Sequence, residues 1–285
     1  MNMLGIVILN YNTWDDTIAC IESLLKFSKI EKGKIYVIDN ASPTPPKKTQ
    51  IQKLNGLPMV NIIFAKRNKG YAAGNNIGLK KALEDGCDAV LICNSDIIFV
   101  DDSINKMLGF MKRHKNIGLV GPQIYNKDLE FQPIYMLSKL TGSGKIKNMF
   151  LNTPMKKLFS NFEKSFIRKT EIHEPLMVFG VSGCCFLISR PCLEYLFPLD
   201  ENTFLYEEEY IIGVKLENTI FENYVLPYTC VIHAHGGSTG GMTSFSYDCL
   251  VESEQYYLRK YVKCNIFLRK LIFLIRKITK KCRVK

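Results

Sequence analysis

Short apolar runs and helical-period stretches alternate along the first 125 residues. Leu4–Leu9 is a compact apolar run and reads as a buried strand. Asn10-Tyr11-Asn12 interrupts it. Thr13 then stands where it could cap a helix over about Trp14–Phe27, with Ile18, Ile21, Leu24 and Leu25 on one face. Lys34–Ile38, Val60–Ala65 and Ala89–Cys93 repeat the strand pattern. Helices are predicted near Ala72–Leu83, after the turn Asn68-Lys69-Gly70, and over about Ser103–Lys115. The three prolines within Ala41–Lys48 make that segment a loop. This rhythm predicts an α/β fold, a mainly parallel, Rossmann-like sheet flanked by helices.

The pattern weakens from Asn126 to Glu174, which reads as an insertion of loops and short helices. Strand character returns over Val181–Ser189 and Val225–Ile232, the latter closing at His233. Pro227 predicts a strand entry or a sheet edge. Near the C-terminus, Lys263, Lys270 and Lys277 recur every seven residues, as do Arg269, Arg276 and Arg283. Ile266, Phe267, Leu271, Leu274, Ile275 and Ile278 fill the spaces. This predicts a basic amphipathic helical tail, the pattern of an in-plane membrane binder; a helix packed on the body with a solvated basic face is the alternative. The expected organisation is a domain over residues 1–243 (1–125 binding a nucleotide, 126–175 variable, 176–243 catalytic) and a tail over 244–285.

Charge sharpens the tail. The 285 residues carry a net charge of +11, and 11 cations lie between Arg259 and Lys285 with no acid after Glu254. The body is therefore near neutral. A basic tail on a neutral body points to an anionic surface, not to a nucleic-acid-binding core. None of the ten cysteines is spaced CxxC, so they are expected to be reduced, mostly buried thiols of a cytoplasmic protein. No signal peptide is expected, and no uncharged apolar run approaches the ~18 residues of a membrane span.

Candidate chemistry gathers after the strands. Asn10-Tyr11, Asp39 and Asp96 all follow strand ends, on the edge of a parallel sheet where nucleotides bind. Asp96 is a natural ligand for a hard divalent cation. Gly70-Tyr71-Ala72-Ala73-Gly74-Asn75-Asn76-Ile77-Gly78 opens a helix but is neither GxGxxG nor a Walker A loop. It is either a tight turn with close packing or a backbone approach to an anion. Phe204–Tyr210 sets Glu207-Glu208-Glu209 among aromatics, where a carboxylate could act as general base. Cys230, His233 and His235 lack a second ligand pair, which disfavours zinc; a histidine completing a site with Asp96 is preferred.

In this order, Ile8-Leu9-Asn10-Tyr11-Asn12, Val37–Ser42, Asn68–Gly78, Asn94-Ser95-Asp96, Val181–Cys185, Phe204–Glu209 and His233–Ser238 resemble the family 2 glycosyltransferases. Within them they look most like the rhamnosyltransferase-like branch that builds O-antigen and capsular polysaccharides. The resemblance covers roughly residues 4–240. It implies a GT-A fold, a nucleotide-diphospho-sugar donor (UDP- or dTDP-linked), a divalent metal (Mn²⁺ or Mg²⁺), inversion at the anomeric carbon, and a saccharide acceptor carried on lipid. It places Leu9, Asn10, Tyr11, Asp39, Asn68, Gly70, Asn75, Asn94 and Ser95 on the nucleotide sugar, with Asp39 at the base. It makes Asp96 and His233 metal-side residues, and gives Glu208-Glu209 the place of the family's Glu-Asp pair.

Two positions depart from that pattern. The base position is Glu209 rather than Asp, which moves the carboxylate by about 1.5 Å. The family's further Asp, two residues on, is Ile211. These departures keep a catalytically inactive, membrane-associated scaffold in view. A sugar nucleotidyltransferase is a second rival, but it would carry a Gly-rich basic loop after strand one, and Asn10-Tyr11-Asn12 has neither glycine nor cation.

Overall fold

The computed structural model describes residues 3–57, 59–151, 157, 171–234 and 242–284. The first half follows the predicted rhythm: β1 (Leu4–Asn10), α1 (Trp14–Phe27), β2 (Gly33–Asp39), α2 (Lys48–Asn55), β3 (Val60–Phe64), α3 (Tyr71–Glu84), β4 (Ala89–Asn94), β5 (Ile97–Phe99), α4 (Ser103–Arg113) and β6 (Ile117–Tyr125). Then come β7 (Phe131–Gln132), α5 (Gly142–Phe150), β8 (Leu176–Val178), β9 (Cys185–Ser189), α6 (Arg190–Leu196), α7 (Glu208–Leu216), β10 (Glu222–His233), α8 (Ser244–Lys260) and α9 (Ile266–Arg283).

The strands form one sheet in the order β3-β2-β1-β4-β9-β6-β10-β5, with β7 on β6 and β8 on β10. The half β3-β2-β1-β4 is parallel, as expected. Beyond it the sheet is mixed: β9 runs antiparallel to both β4 and β6, while β6 and β10 are parallel. Helix α1 buries Trp14, Ile18, Ile21 and Leu24 against the sheet. Each fully buried Leu or Ile contributes roughly 1.5–3 kcal/mol.

Four local readings change. Thr13 makes no side-chain cap; its hydroxyl turns instead to Asn10 Oδ1 and Ser95 Oγ. Helix α2 and strand β6 were not expected. Strand β6 contains Gly118, Gly121 and Pro122, which read locally as turn residues, yet all of it but Tyr125 is buried. Pro227 lies inside β10 at a register shift between Leu226 and Cys230, where its carbonyl accepts from Gln123 Nε2. The bulge absorbs the missing N–H, so neither a strand start nor an edge is needed.

The C-terminal helices pack on the body. Ile272 of α9 joins Tyr257 and Leu258 of α8, Met149 of α5 and Ile211 of α7 in a separate apolar cluster. Arg276, expected among the surface cations, is buried against Glu254. No described helix is long and apolar enough to cross a membrane. The nine cysteines whose surroundings are described are free thiols, seven of them buried. Parts of the variable segment, 152–156 and 158–170, and residues 235–241 with His235 and Ser238, lie outside the described residues.

Candidate active site

The strand register brings the predicted strand-end residues to one edge. Asn10 is level with Asp39 across β1–β2, and Leu9 with Asn94 across β1–β4. Asn10 Nδ2 donates to Asp39 Oδ1 at 2.8 Å, and the Ser42 hydroxyl donates to the same oxygen. Asn10 Oδ1 accepts from the Thr13 amide and from the Thr13 and Thr17 hydroxyls. Thr13 reaches Ser95 Oγ at 2.8 Å, tying the β1 loop to the β4 turn. Tyr11 stands half-exposed at the mouth of this edge.

Turn chemistry accounts for Asn68 and Gly70. Asn68 Oδ1 accepts from Gly70 N at 2.8 Å and from Asn40 Nδ2 at 3.0 Å, so it closes the turn. Gly70 sits at φ 95°, and a Cβ there would overlap the backbone of Phe204. Only glycine permits both the dihedral and the approach. Asn75 is fully buried, with Nδ2 bonded to Tyr71 O. Its buried Oδ1 has no hydrogen-bond partner among the described residues. The glycine-rich segment also holds the 204–207 turn, through Tyr71 N–H to Phe204 O.

Asp96 and His233 come together although far apart in sequence. Ile97 pairs with His233 across β5–β10, and His233 Nε2 lies 3.2 Å from Asp96 Oδ2. Both side chains are mostly buried but reachable from solvent.

The acidic run divides into three environments. Tyr206 and Glu207 adopt left-handed dihedrals, φ 73° and 70°. Each costs on the order of 1–3 kcal/mol and needs surroundings that enforce it. Glu207 turns inward to Lys145 Nζ at 2.5 Å. Burial raises its carboxyl above the usual range, with Lys145 opposing. Glu208 begins α7 and lines a small hollow with Ala72, Leu199, Asp200, Ile211, Ile212 and Lys215. Burial, then the Glu209 carboxylate, pushes its carboxyl up to about 8. The Oε1 of Glu209 accepts from Gly183 N–H at 3.0 Å.

Gly183 is a junction that its sequence motif alone did not reveal. Its carbonyl accepts from the Tyr71 hydroxyl, and the next carbonyl, Cys184 O, accepts from Asn94 N. Burial, then Glu209 and Glu208, hold the Tyr71 phenol well above its ordinary value, so it remains a donor. Glu209 therefore sits beside the carboxyl end of β4. Ile211, where the family has an acid, points into the cluster with Met149 and Ile272. The packing of the C-terminal helices accounts for an apolar residue there.

A parallel half-sheet with a polar strand-end edge, a carboxylate on the turn after β4 paired with an imidazole at the end of β10, and a helix starting in acids together define the GT-A class of fold. The GalNAc-T7 structure with UDP, GalNAc and Mn2+ superposes with a TM-score of 0.62, covering 99% of this chain and 55% of that one at 16% identity. The S. aureus TarS 1-349 structure gives 0.56, over 98% and 72%, at 13% identity. Residues 5–197 match the Glycosyl transferase family 2 profile, and the chain belongs to that family. Among curated proteins it is similar to the low-salt glycan biosynthesis hexosyltransferase Agl10 of Haloferax volcanii (24% identity, 72% of this chain) and dTDP-rhamnosyl transferase RfbF of Shigella flexneri (26%, 50% of this chain). It is also similar to N-acetylglucosaminyl-diphospho-decaprenol L-rhamnosyltransferase of Mycobacterium tuberculosis (23%, 72% of this chain and 68% of that protein). The chain spans 59% of the Agl10 length and 47% of the RfbF length.

Proposed function

We propose that this chain transfers a sugar, with inversion, from a UDP- or dTDP-linked donor to a saccharide acceptor carried on a lipid diphosphate. The observation that carries the reading is the meeting of Asp96 and His233 on the sheet edge that also presents Asn10 and Asp39. The Asn10–Asp39–Ser42 network orients a carboxylate for a base N–H or a ribose hydroxyl, with Tyr11 above it.

A divalent cation fits the pair. A carboxylate oxygen and an imidazole nitrogen 3.2 Å apart, both reachable from solvent, are the donor types that would hold Mn²⁺ or Mg²⁺. No described cluster holds three candidate ligands, so donor phosphates and water would supply the rest. When bound, Mn²⁺ or Mg²⁺ supplies charge stabilisation for the departing diphosphate. The chain's own contribution is the base. Glu209, oriented by the Gly183 amide, takes the proton of the acceptor hydroxyl as that oxygen attacks the anomeric carbon, a contribution of ~10²–10⁴-fold.

The lipid-linked acceptor has a separate support. Helix α9 seats Ile272 and Ile275 inward but leaves Phe267, Leu271, Leu274 and Ile278 exposed. Their i, i+4, i+7, i+11 spacing makes one stripe. Exposed Lys270, Lys277 and Lys281 follow one flank of it. An apolar stripe beside cations fits an anionic bilayer surface, each cation contributing about 1 kcal/mol. The location expected from this stripe is peripheral, on the inner face of the cell membrane; the name of the Mycobacterium relative includes a diphospho-decaprenol.

A thermal-shift panel of UDP, dTDP, GDP and CMP, with and without Mn²⁺, tests the donor reading. A ligand at ~100 Kd stabilises by about 2.7 kcal/mol. A Mn²⁺-dependent shift with UDP or dTDP, lost in Asp96→Ala, is expected. No shift with any nucleotide in the folded protein would overturn it.

A further inference from the structure

Four charged side chains, none part of the sheet-edge site, lie buried in a row behind Glu209. Arg276 of α9 donates from Nε and Nη2 to the two oxygens of Glu254 on α8, at 2.9 and 2.7 Å. Lys145 of α5 lies 3.9 Å from Glu254 and 2.5 Å from Glu207. Lys145 Nζ also sits over the Tyr210 ring at 4.5 Å. All four residues are less than a tenth exposed. Two cations and two carboxylates make the row neutral, and its members come from α9, α8, α5 and the turn into α7.

We propose that Arg276, Glu254, Lys145 and Glu207 form a positioning relay that ties the seating of α9 to the orientation of Glu209. This deepens the reading of Glu209 as base, and rests on it for its catalytic meaning. The physical argument starts at Glu207. A left-handed, non-glycine residue two positions before the candidate base persists only if something holds it. Its Oε1 is held by Lys145, and among the described residues its buried Oε2 has no hydrogen-bond partner, so Lys145 is the described cation in contact with this carboxylate. A second clamp, Ser253 Oγ to Leu205 O, comes from the same helix as Glu254. Lys145 is shared between Glu207 and Glu254, and Glu254 is fixed by the bidentate Arg276. A shift of α9 therefore unbalances Glu254, redirects Lys145 and releases the turn that aims Glu209 at Gly183. Removing one member of a buried charge set leaves an uncompensated charge, whereas removing an opposite pair does not.

Hydrogen–deuterium exchange on the full chain tests the relay without a substrate. Two charge-balanced variants, Lys145→Met with Glu207→Gln, and Glu254→Gln with Arg276→Met, avoid a lone buried charge and are expected to fold. In each, amides of residues 203–212 should exchange at least 10-fold faster, with β1 and β4 unchanged. Unchanged exchange at 203–212, or acceleration only in residues 266–283, would overturn the relay. Uniform acceleration through the sheet would also overturn it, because it would mark general loosening. With the donor that gives a nucleotide shift, kcat should fall at least 10-fold while donor KM stays within 2-fold. If exchange responds but the wild-type chain turns over no donor, the relay stands and the transferase reading falls.

Discussion

The Gly183 amide holds the Glu209 carboxylate at 3.0 Å, and a Cβ on Gly183 would lie 2.7 Å from that same oxygen. One glycine therefore both orients the candidate base and leaves it room. This contact also distinguishes Glu209 from Glu208, whose Oε1 accepts instead from the Thr203 hydroxyl.

Gly183→Ala should push Glu209 aside without touching the nucleotide edge. A displacement of about 1 Å can cost ~10²-fold in rate. Initial rates should fall at least 10-fold while the UDP or dTDP thermal shift persists. Equal loss of both would mean that Gly183 shapes the donor site instead.

Glu209→Gln and Glu208→Gln should behave differently. The first should reduce transfer by about 10²-fold or more with donor affinity retained. The second replaces a carboxyl that burial, then the Glu209 carboxylate, pushes towards its neutral form, and should retain most activity at pH 7. Comparable losses in both would refute the division of roles.

The same raised carboxyl predicts a pH dependence of stability. Unfolded, Glu208 titrates near 4.3; folded, its carboxyl is pushed up to about 8. Between those values the folded state binds more protons than the unfolded state, so this contribution is complete below about pH 4.3 and is lost as pH rises to about 8. Its slope is at most about 1.4 kcal/mol per pH unit. Urea titrations at pH 5 to 8 should show a shallower decline in Glu208→Gln than in the wild type; an identical decline would place the buried proton elsewhere.

Gly70→Ala meets both a positive φ and the Phe204 backbone, whereas Gly86, at φ 77°, faces open space. Alanine at Gly70 should destabilise by about 1–3 kcal/mol. At Gly86 the cost should stay near 1 kcal/mol. Melting temperatures of the two variants give the comparison; equal shifts would remove the packing role of Gly70.

Lys270→Glu with Lys277→Glu should abolish most binding to vesicles containing anionic lipid. Two reversals remove about 2 kcal/mol of attraction and add repulsion. Co-sedimentation should fall at least 10-fold, with the thermal melt unchanged because neither side chain is buried. Undiminished sedimentation would remove α9 from the membrane reading.

What the sequence determined was whatever neighbouring residues encode: the strand ends at Asn10, Asp39 and Asn94, the turn at Gly70, the acidic start of α7 and the seven-residue repeat of the tail. Periodicity and turn chemistry act over a few residues, so they can be read along the chain. Tertiary structure decided the rest. Strand β6 forms despite Gly121 and Pro122 because burial between β9 and β10 outweighs local preference. The repeat could not tell Arg276 from Lys277, since only the carboxylate of Glu254 on the packed face makes one of them a buried ion. The pairing of Asp96 with His233, and that of Glu209 with Gly183, likewise depend on elements brought together across the sheet. Side-chain surroundings are set by partners distant in sequence, and local composition does not encode who those partners are.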